Sequence, residues 1–190
     1  MTASTVAPQQ RLAAASEVLS FWQEAGPDKW FNKDAAFDAE IAARFLETYE
    51  AAAAGHLSLW ETAPDSALAL TIVLDQFPRN MFRDSPRAFA ADPAARGVAS
   101  RALARGYDAL VPEALRTFFY LPLMHSEDLA DQARCVSLYE ALGEPNGLAY
   151  ARIHFDIIEK FGRFPHRNAL LGRETTPEEQ AFLDSGGFAG

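Results

Sequence analysis

The chain is poor in cysteine, since Cys135 is the only one among its 190 residues. A single thiol can form neither an intrachain disulfide nor a cysteine-based zinc site. Chains without disulfides are typical of reducing compartments, so we expect a fold held without covalent cross-links. Cys135 itself falls on an apolar helical stripe and is expected to be a small core residue rather than a nucleophile.

Positive charge and long apolar runs are also scarce. The chain has 17 Lys and Arg residues against 26 Asp and Glu residues, a formal net charge of −9. This excess of negative charge repels phosphate backbones and anionic lipids, which argues against a nucleic-acid or membrane partner. The N-terminus lacks the layout of a signal peptide, and no window approaches about 18 uninterrupted apolar residues. We therefore expect a soluble cytoplasmic protein.

Strand-like alternation does not stand out in the sequence, whereas apolar residues repeatedly recur at helical spacing. We predict an all-α fold of seven to eight helices stacked as antiparallel hairpins. The length favours one domain, placed at residues 16–190, after a flexible N-terminal segment at residues 1–15.

Polar and proline residues predict where several helices begin and end. Pro78 and Pro122 are predicted to end two apolar helices, because proline lacks an N–H group and restricts the preceding residue. Ser126 is predicted to be the N-cap of the next helix. Asp92 and Pro93 are read as N-cap and first residue of an exposed helix rich in alanine and arginine.

Three stretches combine apolar residues with charge at what we expect to be helix ends. They are residues 74–80 (Leu-Asp-Gln-Phe-Pro-Arg-Asn), residues 118–132 (Phe-Phe-Tyr-Leu-Pro-Leu-Met-His-Ser-Glu-Asp-Leu-Ala-Asp-Gln) and residues 159–168 (Glu-Lys-Phe-Gly-Arg-Phe-Pro-His-Arg-Asn). The first and third both end an apolar helix on an acid, Phe-Pro, Arg and Asn. Such a repeated ending is a weak signal of stacked helical hairpins.

Asp75 is the most informative residue of the first stretch. It lies on a helix that is apolar on nearly every side, where a carboxylate is costly to bury unless it is paired. The candidate partners are Arg79, Arg163 and Arg167. A buried ion pair is therefore predicted in the core near the end of this helix.

The second stretch is expected to bring polar side chains out beside the core. His125, Glu127 and Asp128 directly follow an intensely apolar segment. Asp128 and Gln132 share a helical stripe with apolar residues and are predicted to point inward.

The three stretches together resemble the bacterial family catalogued as domain of unknown function 924. The likeness covers about residues 18–183, with the three motifs in the expected order. It implies an all-α fold similar to the tetratricopeptide-like helical superhelices, and it implies no activity.

These residues suggest several kinds of site. His125, His154 and His166 with nearby carboxylates are ligand types for zinc or iron, but no His-x-x-x-His or Glu-x-x-His pair is present, so no metal site is predicted and no cofactor is indicated. Ser126 next to His125 suggests a hydrolase, but the glycine pattern of a nucleophile elbow is missing around Ser126. Histidines that hydrogen-bond carboxylates to hold helix ends are the structural alternative.

Three functions remain open from the sequence. The first is a binding domain whose polar pocket holds a small anionic metabolite or a peptide end. The second is an enzyme with His125 or His154 as general base and Glu127 or Asp128 as the orienting acid. The third is a helical scaffold for protein–protein interaction with a purely structural polar cluster. The residues expected to line the pocket are Trp22, Trp30, Asp75, Arg79, Asn80, His125, Glu127, Asp128, Gln132, His154, Glu159, Arg163, His166, Arg167 and Asn168.

Overall fold

The computed structural model describes residues 11–188 of the chain. Within this range it contains nine α-helices and no strand, which confirms the all-α prediction. The helices are α1 (Ala15–Ala25), α2 (Pro27–Trp30), α3 (Ala35–Ala53), α4 (Pro64–Met81), α5 (Asp92–Ala104), α6 (Glu113–Met124), α7 (Leu129–Leu142), α8 (Pro145–Phe161) and α9 (Pro177–Asp184). Short 3-10 turns lie at Ser58–Thr62, Pro86–Phe89, Tyr107–Leu110 and Pro165–Arg167.

Helix α4 is the centre of the core. Thirteen of its residues are buried, from Ala67 to Asn80, and it packs against α1, α3, α5 and α6. A helix that is apolar on all sides belongs inside a fold, as its sequence predicts. The polar side chains at the C-terminal end of α4 therefore lie in the interior.

Successive helices pack against one another along the chain. The pairs in contact are α3 with α4, α4 with α5, α5 with α6, α6 with α7 and α7 with α8. This neighbour-to-neighbour packing is what stacked helical hairpins require, while the specific likeness to tetratricopeptide superhelices stays a prediction. Gly147 in α8 lies so close to α7 that a Cβ atom there would collide with the ring of Tyr139, so only glycine fits.

Two prolines that the sequence predicts to end helices lie inside them. Helix α4 continues past Pro78 to Met81, and α6 continues past Pro122 to Met124. Both prolines are buried, and near the end of a helix a proline disturbs only the last turn, so tertiary packing outweighs the local preference. As a result Arg79 stays helical, one turn after Asp75, where its side chain can reach that carboxylate.

The predicted flexible segment, residues 1–15, lies largely outside the described residues. Just before α1, the Ala13 N–H donates to Thr48 Oγ1 of α3 at 2.9 Å. Ala13 and Ala15 also pack against the core. Among residues 11–188, no helix has both the length and the apolar character needed to cross a membrane.

Candidate functional site

Asp75 is the innermost charge of the site. Its side chain is only 1% exposed, and it is held from three directions. Gln76 Nε2 donates to Oδ2 at 2.5 Å, His125 Nδ1 lies 2.9 Å from Oδ1, and Arg79 Nη1 lies 3.3 Å from Oδ1. Burial alone would raise the pKa of Asp75, but Arg79 and His125 together lower it to about 2. Asp75 is therefore an ionised carboxylate inside the core, with Arg79 as its predicted arginine partner.

His125 connects Asp75 to the surface. It is the first residue after α6, and its side chain is 16% exposed. With Nδ1 facing the ionised Asp75, the ring carries its proton on Nδ1 and leaves a lone pair on Nε2. Among the described residues Nε2 has no hydrogen-bond partner. Burial, followed by the positive charge of Arg79, lowers the pKa of His125, so the ring is neutral at neutral pH.

Two arginines from distant parts of the chain converge on Asp92 at the start of α5. Both terminal nitrogens of Arg79 donate to the Asp92 carboxylate, at 2.9 and 3.0 Å. Arg79 also donates to the Asp75 backbone oxygen at 2.6 Å. Arg167 reaches the same carboxylate through one longer contact of 3.4 Å. The two Phe-Pro stretches noted in the sequence thus supply the two arginines that meet at one acid.

Arg167 is buried without a full set of partners. Its side chain is 8% exposed and lies between the rings of Phe89 and Phe164, with centroids 4.6 and 4.5 Å from the guanidinium carbon. Its Nε is buried and has no hydrogen-bond partner among the described residues. Burial, and then the charge of Arg79, lower the pKa of Arg167 to about 10, so the group remains cationic at neutral pH.

His125, Asp92 and Arg167 line a cleft of about 310 Å³ between the start of α5, the α6–α7 turn and the segment after α8, whereas Asp75 and Arg79 lie behind its lining. This volume is at the lower end of the range for small-molecule sites, ~300–1,000 Å³. Two of its walls are apolar, made by the 3-10 turn at Pro86–Phe89 and by Leu171. The polar lining residues are Asp92, Arg96, His125, Ser126, Glu127, Arg167 and Arg173.

Both acids of this cleft accept hydrogen bonds from the protein. Asp92 accepts from Arg79 and Arg167, as described above. Glu127 Oε1 accepts from the Phe164 N–H at 2.9 Å and from Arg173 Nη1 at 3.0 Å. Each of Arg167 and Arg173 uses only one of its terminal nitrogens in these contacts, so both arginines keep further donors for a ligand.

The α6–α7 turn differs from its prediction. Asp128 is the N-cap of α7, with Oδ1 accepting from the Ala130 N–H at 2.8 Å, so the prediction that Ser126 caps this helix is wrong. Asp128 is also exposed rather than inward, because capping directs its side chain back along the backbone. Ser126 Oγ donates to Asp131 at 2.8 Å and accepts from Arg96 at 3.1 Å, so its hydroxyl is engaged within this turn.

Gln132 does point inward, as predicted, and is fully buried. Its Nε2 donates to the backbone oxygens of Met124 and Ser126 at 2.6 and 2.7 Å. Gln132 therefore holds the turn that presents His125, and it is absent from the cleft lining.

His154 and His166 lie in a separate cluster. His154 Nδ1 contacts the Tyr150 backbone oxygen at 2.8 Å, and both imidazoles pack against Phe164 and Phe188. Burial lowers the pKa of each to about 4. Neither residue lines the cleft, so the predicted convergence of His154 with His125 is not what the structure brings together.

Arg163 and Asn168 bind Glu179 of α9 instead of Asp75. Arg163 donates to both carboxylate oxygens of Glu179, at 2.6 and 2.8 Å, and Asn168 Nδ2 donates to one of them at 3.2 Å. Thr176 and Glu179 also form the capping box that the sequence of α9 contains. We call Arg163, Asn168, Thr176 and Glu179 the C-terminal lock.

The remaining predicted site residues lie outside the cleft lining. Asn80 donates to Asp38 at 2.8 Å, on another side of α4. Glu159 is exposed on α8. Trp22 is a core residue stacked on Trp30, whose Nε1 donates to the Trp22 backbone oxygen at 2.7 Å.

Sequence reasoning missed Asp92, Phe89, Arg96 and Arg173. Asp92 was read as an N-cap, but Ala91 occupies that position and Asp92 is the first helical residue, so its carboxylate is available to the arginines. Its position before Pro93 gives no sign of this long-range role. Within residues 11–188, no three His, Cys, Asp or Glu side chains are grouped as ligands of a metal ion.

Comparison with known proteins places the chain in a family. A solved structure from Agrobacterium tumefaciens, described as a protein of unknown function, is 51% identical in sequence; the match covers 90% of this chain and 97% of that one, with a TM-score of 0.88. No curated protein is significantly similar to the chain. A family model described as bacterial protein of unknown function, DUF924, matches residues 18–187, the family that the three motifs resemble. The chain therefore belongs to the DUF924 family.

Proposed function

We propose that this protein binds a small anionic ligand in the cleft between α5, the α6–α7 turn and the segment after α8. The observation that carries the proposal is the buried guanidinium of Arg167. It lies in the wall of the cleft with one long contact to Asp92 and an unpaired Nε. Burying a charged donor without partners is unfavourable, and in native proteins such a group calls for a functional explanation.

The charge balance of the cleft supports an anion over a cation. Asp92 accepts three hydrogen bonds from the protein and Glu127 accepts two, so a cationic ligand would compete with arginines for both carboxylates. Spare donors remain on Arg167 and Arg173, and Arg96 is 42% exposed beside them. Guanidinium groups bind carboxylates and phosphates through paired hydrogen bonds.

The apolar walls suggest an organic anion. The Phe89 ring packs against the guanidinium group of Arg167, and Pro86 and Leu171 add apolar surface to the lining. A ligand with a carboxylate at Arg167 and a short carbon chain would cover these surfaces. The carboxylate of a metabolite and that of a peptide C-terminus share this chemistry.

Titration calorimetry tests the proposal. The probes are succinate, its neutral analogue succinamide, and N-acetyl-triglycine with a free or an amidated C-terminus. We expect heat of binding for the probes that carry a carboxylate and none for the neutral ones, with the two acids separating a small metabolite from a peptide end. Binding of succinamide as tight as that of succinate would contradict the proposal.

Arg167→Met is the matched variant, because methionine keeps much of the side-chain volume between Phe89 and Phe164 and removes the charge. Arg152→Met is its control, since Arg152 forms an exposed pair with Glu140 away from the cleft. Both variants have the same net charge. We expect Arg167→Met to lose succinate binding and Arg152→Met to keep it; equal loss in both would indicate an unspecific charge effect.

A further inference from the structure

The Asp75–His125 pair is fixed more firmly than a purely structural hydrogen bond requires. Asp75 is fixed by Gln76 on one oxygen and by His125 and Arg79 on the other. A fixed, ionised acceptor at Nδ1 sets the tautomer of the imidazole and turns its basic Nε2 away from the core. The acid that orients His125 is thus Asp75, rather than the Glu127 or Asp128 considered from the sequence.

His125 presents this basic nitrogen to the cleft. Its side chain is part of the cleft lining, and no described residue pairs with Nε2. The spare donors of Arg167 and Arg173 line the same 310 Å³ space, so a bound molecule can touch the base and a cation together. A base and a positive charge beside one reacting group are the parts needed for attack on an acyl bond.

The side chains that would act as nucleophiles are engaged elsewhere. Ser126 Oγ, next in sequence to His125, donates to Asp131 and accepts from Arg96. Cys135 is fully buried, and burial raises the pKa of its thiol to about 12. Water is the remaining nucleophile that His125 can activate.

We propose that His125, positioned by Asp75, is a general base that activates water to hydrolyse an ester of an anionic acyl group. The inference rests on the proposed anion binding, with the carboxylate of the acyl part held by Arg167. Water gives a proton to Nε2 as its oxygen bonds to the acyl carbon. The carbon–oxygen ester bond then breaks, and the imidazolium returns the proton to the leaving oxygen. The products are the acid and the alcohol, and no electron donor or acceptor takes part.

The probe reaction is hydrolysis of 4-nitrophenyl hemisuccinate, compared with the neutral 4-nitrophenyl acetate, which has the same leaving group. We expect the purified full chain to accelerate the hemisuccinate reaction over buffer and to favour it over the acetate. His125→Gln removes the general base and should slow hydrolysis by ~10²–10⁴-fold. If the parent exceeds the buffer rate by less than that, the variant should fall to the buffer rate. His56→Ala, which removes an exposed histidine outside the cleft, should keep the full rate. A parent rate equal to buffer, or an unchanged His125→Gln rate, overturns the inference.

Three further readouts separate this route from a structural role or from covalent catalysis. Asp75 raises the pKa of His125, so Asp75→Asn should move the midpoint of the pH–rate profile to lower pH and reduce the plateau rate. Deuterated water should slow the reaction, because a proton moves in the rate-limiting step. A burst of 4-nitrophenol equal to the protein concentration would indicate acylation of the imidazole and overturn the water route.

Calorimetry with succinate on the same samples keeps the two proposals distinct. Succinate binding by the parent and by His125→Gln, without hydrolysis by the parent, overturns the catalytic inference and leaves the anion site intact. Absence of succinate binding by the parent overturns both. Arg167→Met should lose the preference for the hemisuccinate over the acetate.

Discussion

The cleft and the C-terminal lock are built from the same residue types and differ in how their hydrogen bonds balance. In the lock, the carboxylate of Glu179 accepts from Arg163, Asn168 and the Thr176 N–H, and the hydrogen bond from Arg163 is the first cause that lowers the pKa of Glu179 to about 2. Within residues 11–188, the one atom of the lock that is buried without a partner, Asn168 Oδ1, is an acceptor. In the cleft, the unpaired atom is a donor of a buried cation, Arg167. We therefore expect these two arginine–carboxylate clusters to differ in role because of their leftover donors, rather than because of their composition.

The largest expected effect comes from breaking the innermost pair of the cleft. Arg79→Ala removes the arginine that compensates both Asp75 and Asp92, and leaving buried charges unpaired costs on the order of 3–5 kcal/mol. Denaturant unfolding should show this loss, whereas Arg152→Ala, in an exposed pair, should lose only about 0–1 kcal/mol. Similar losses for the two variants would mean that Asp75 is solvated.

The second expected effect is the dependence of stability on pH that Asp75 contributes. The folded-state pKa of Asp75, about 2, lies below its ordinary value of 3.8, so its contribution is present above pH 4 and is lost as the pH falls through 4 towards 2. At about 1.4 kcal/mol for each unit of pKa, this contribution is roughly 2 kcal/mol. Urea unfolding of Asp75→Asn between pH 5 and pH 2 should show a flatter stability profile than the parent. A profile as steep as that of the parent would assign the acid dependence to other carboxylates, such as Glu179.

His125 in the cleft and His154 in the cluster around Phe164 and Phe188 should differ in their effect on stability. His154 is 6% exposed and packs on Phe164 and Phe188, so His154→Ala should lower the free energy of unfolding by roughly 1–3 kcal/mol. His125 lines an open cleft, where water can replace its hydrogen bond to Asp75, so His125→Ala should lose less than about 1 kcal/mol or gain stability. Urea titrations of both variants at pH 7 compare them directly. Losses above about 2 kcal/mol in both would favour a structural role for the cleft.

The sequence predicts the helices and the burial of Asp75 because both depend on local information. Apolar periodicity identifies α4, and a lone acid within it requires a partner. Local sequence rules fail at Pro78. Burial of the last turn outweighs the preference of proline, so the helix continues and Arg79 lies within reach of Asp75. Asp92 shows the same limit at long range, because it meets Arg167 across 75 residues and no spacing rule relates them. Periodicity predicts the face of a helix, but it does not predict which loops meet at the ends of different helices.

The sequence also contains His125 and His154 with similar surroundings of apolar and acidic residues. The two histidines differ in the surroundings of Nε2. For His125 these depend on the α6–α7 turn, which Gln132 holds, and for His154 they depend on the packing of Phe188 against the ring. These are tertiary contacts between segments far apart in the chain. Trp22 is a core residue and Trp30 stacks on it while packing against the core, so neither reaches the cleft.

The smallest expected effect on intrinsic stability is that of Arg167→Met, and the same variant removes the cation to which we assign anion binding. Without a ligand, Asp92 keeps both bonds from Arg79, so the variant should be as stable as the parent or more stable. The measurement is the free energy of unfolding as succinate replaces chloride at constant ionic strength. The parent should gain stability as succinate binds, by about 2.7 kcal/mol at a concentration one hundred times the Kd, and Arg167→Met should gain none. An equal gain in both proteins, or none in the parent, would contradict an anion site at Arg167.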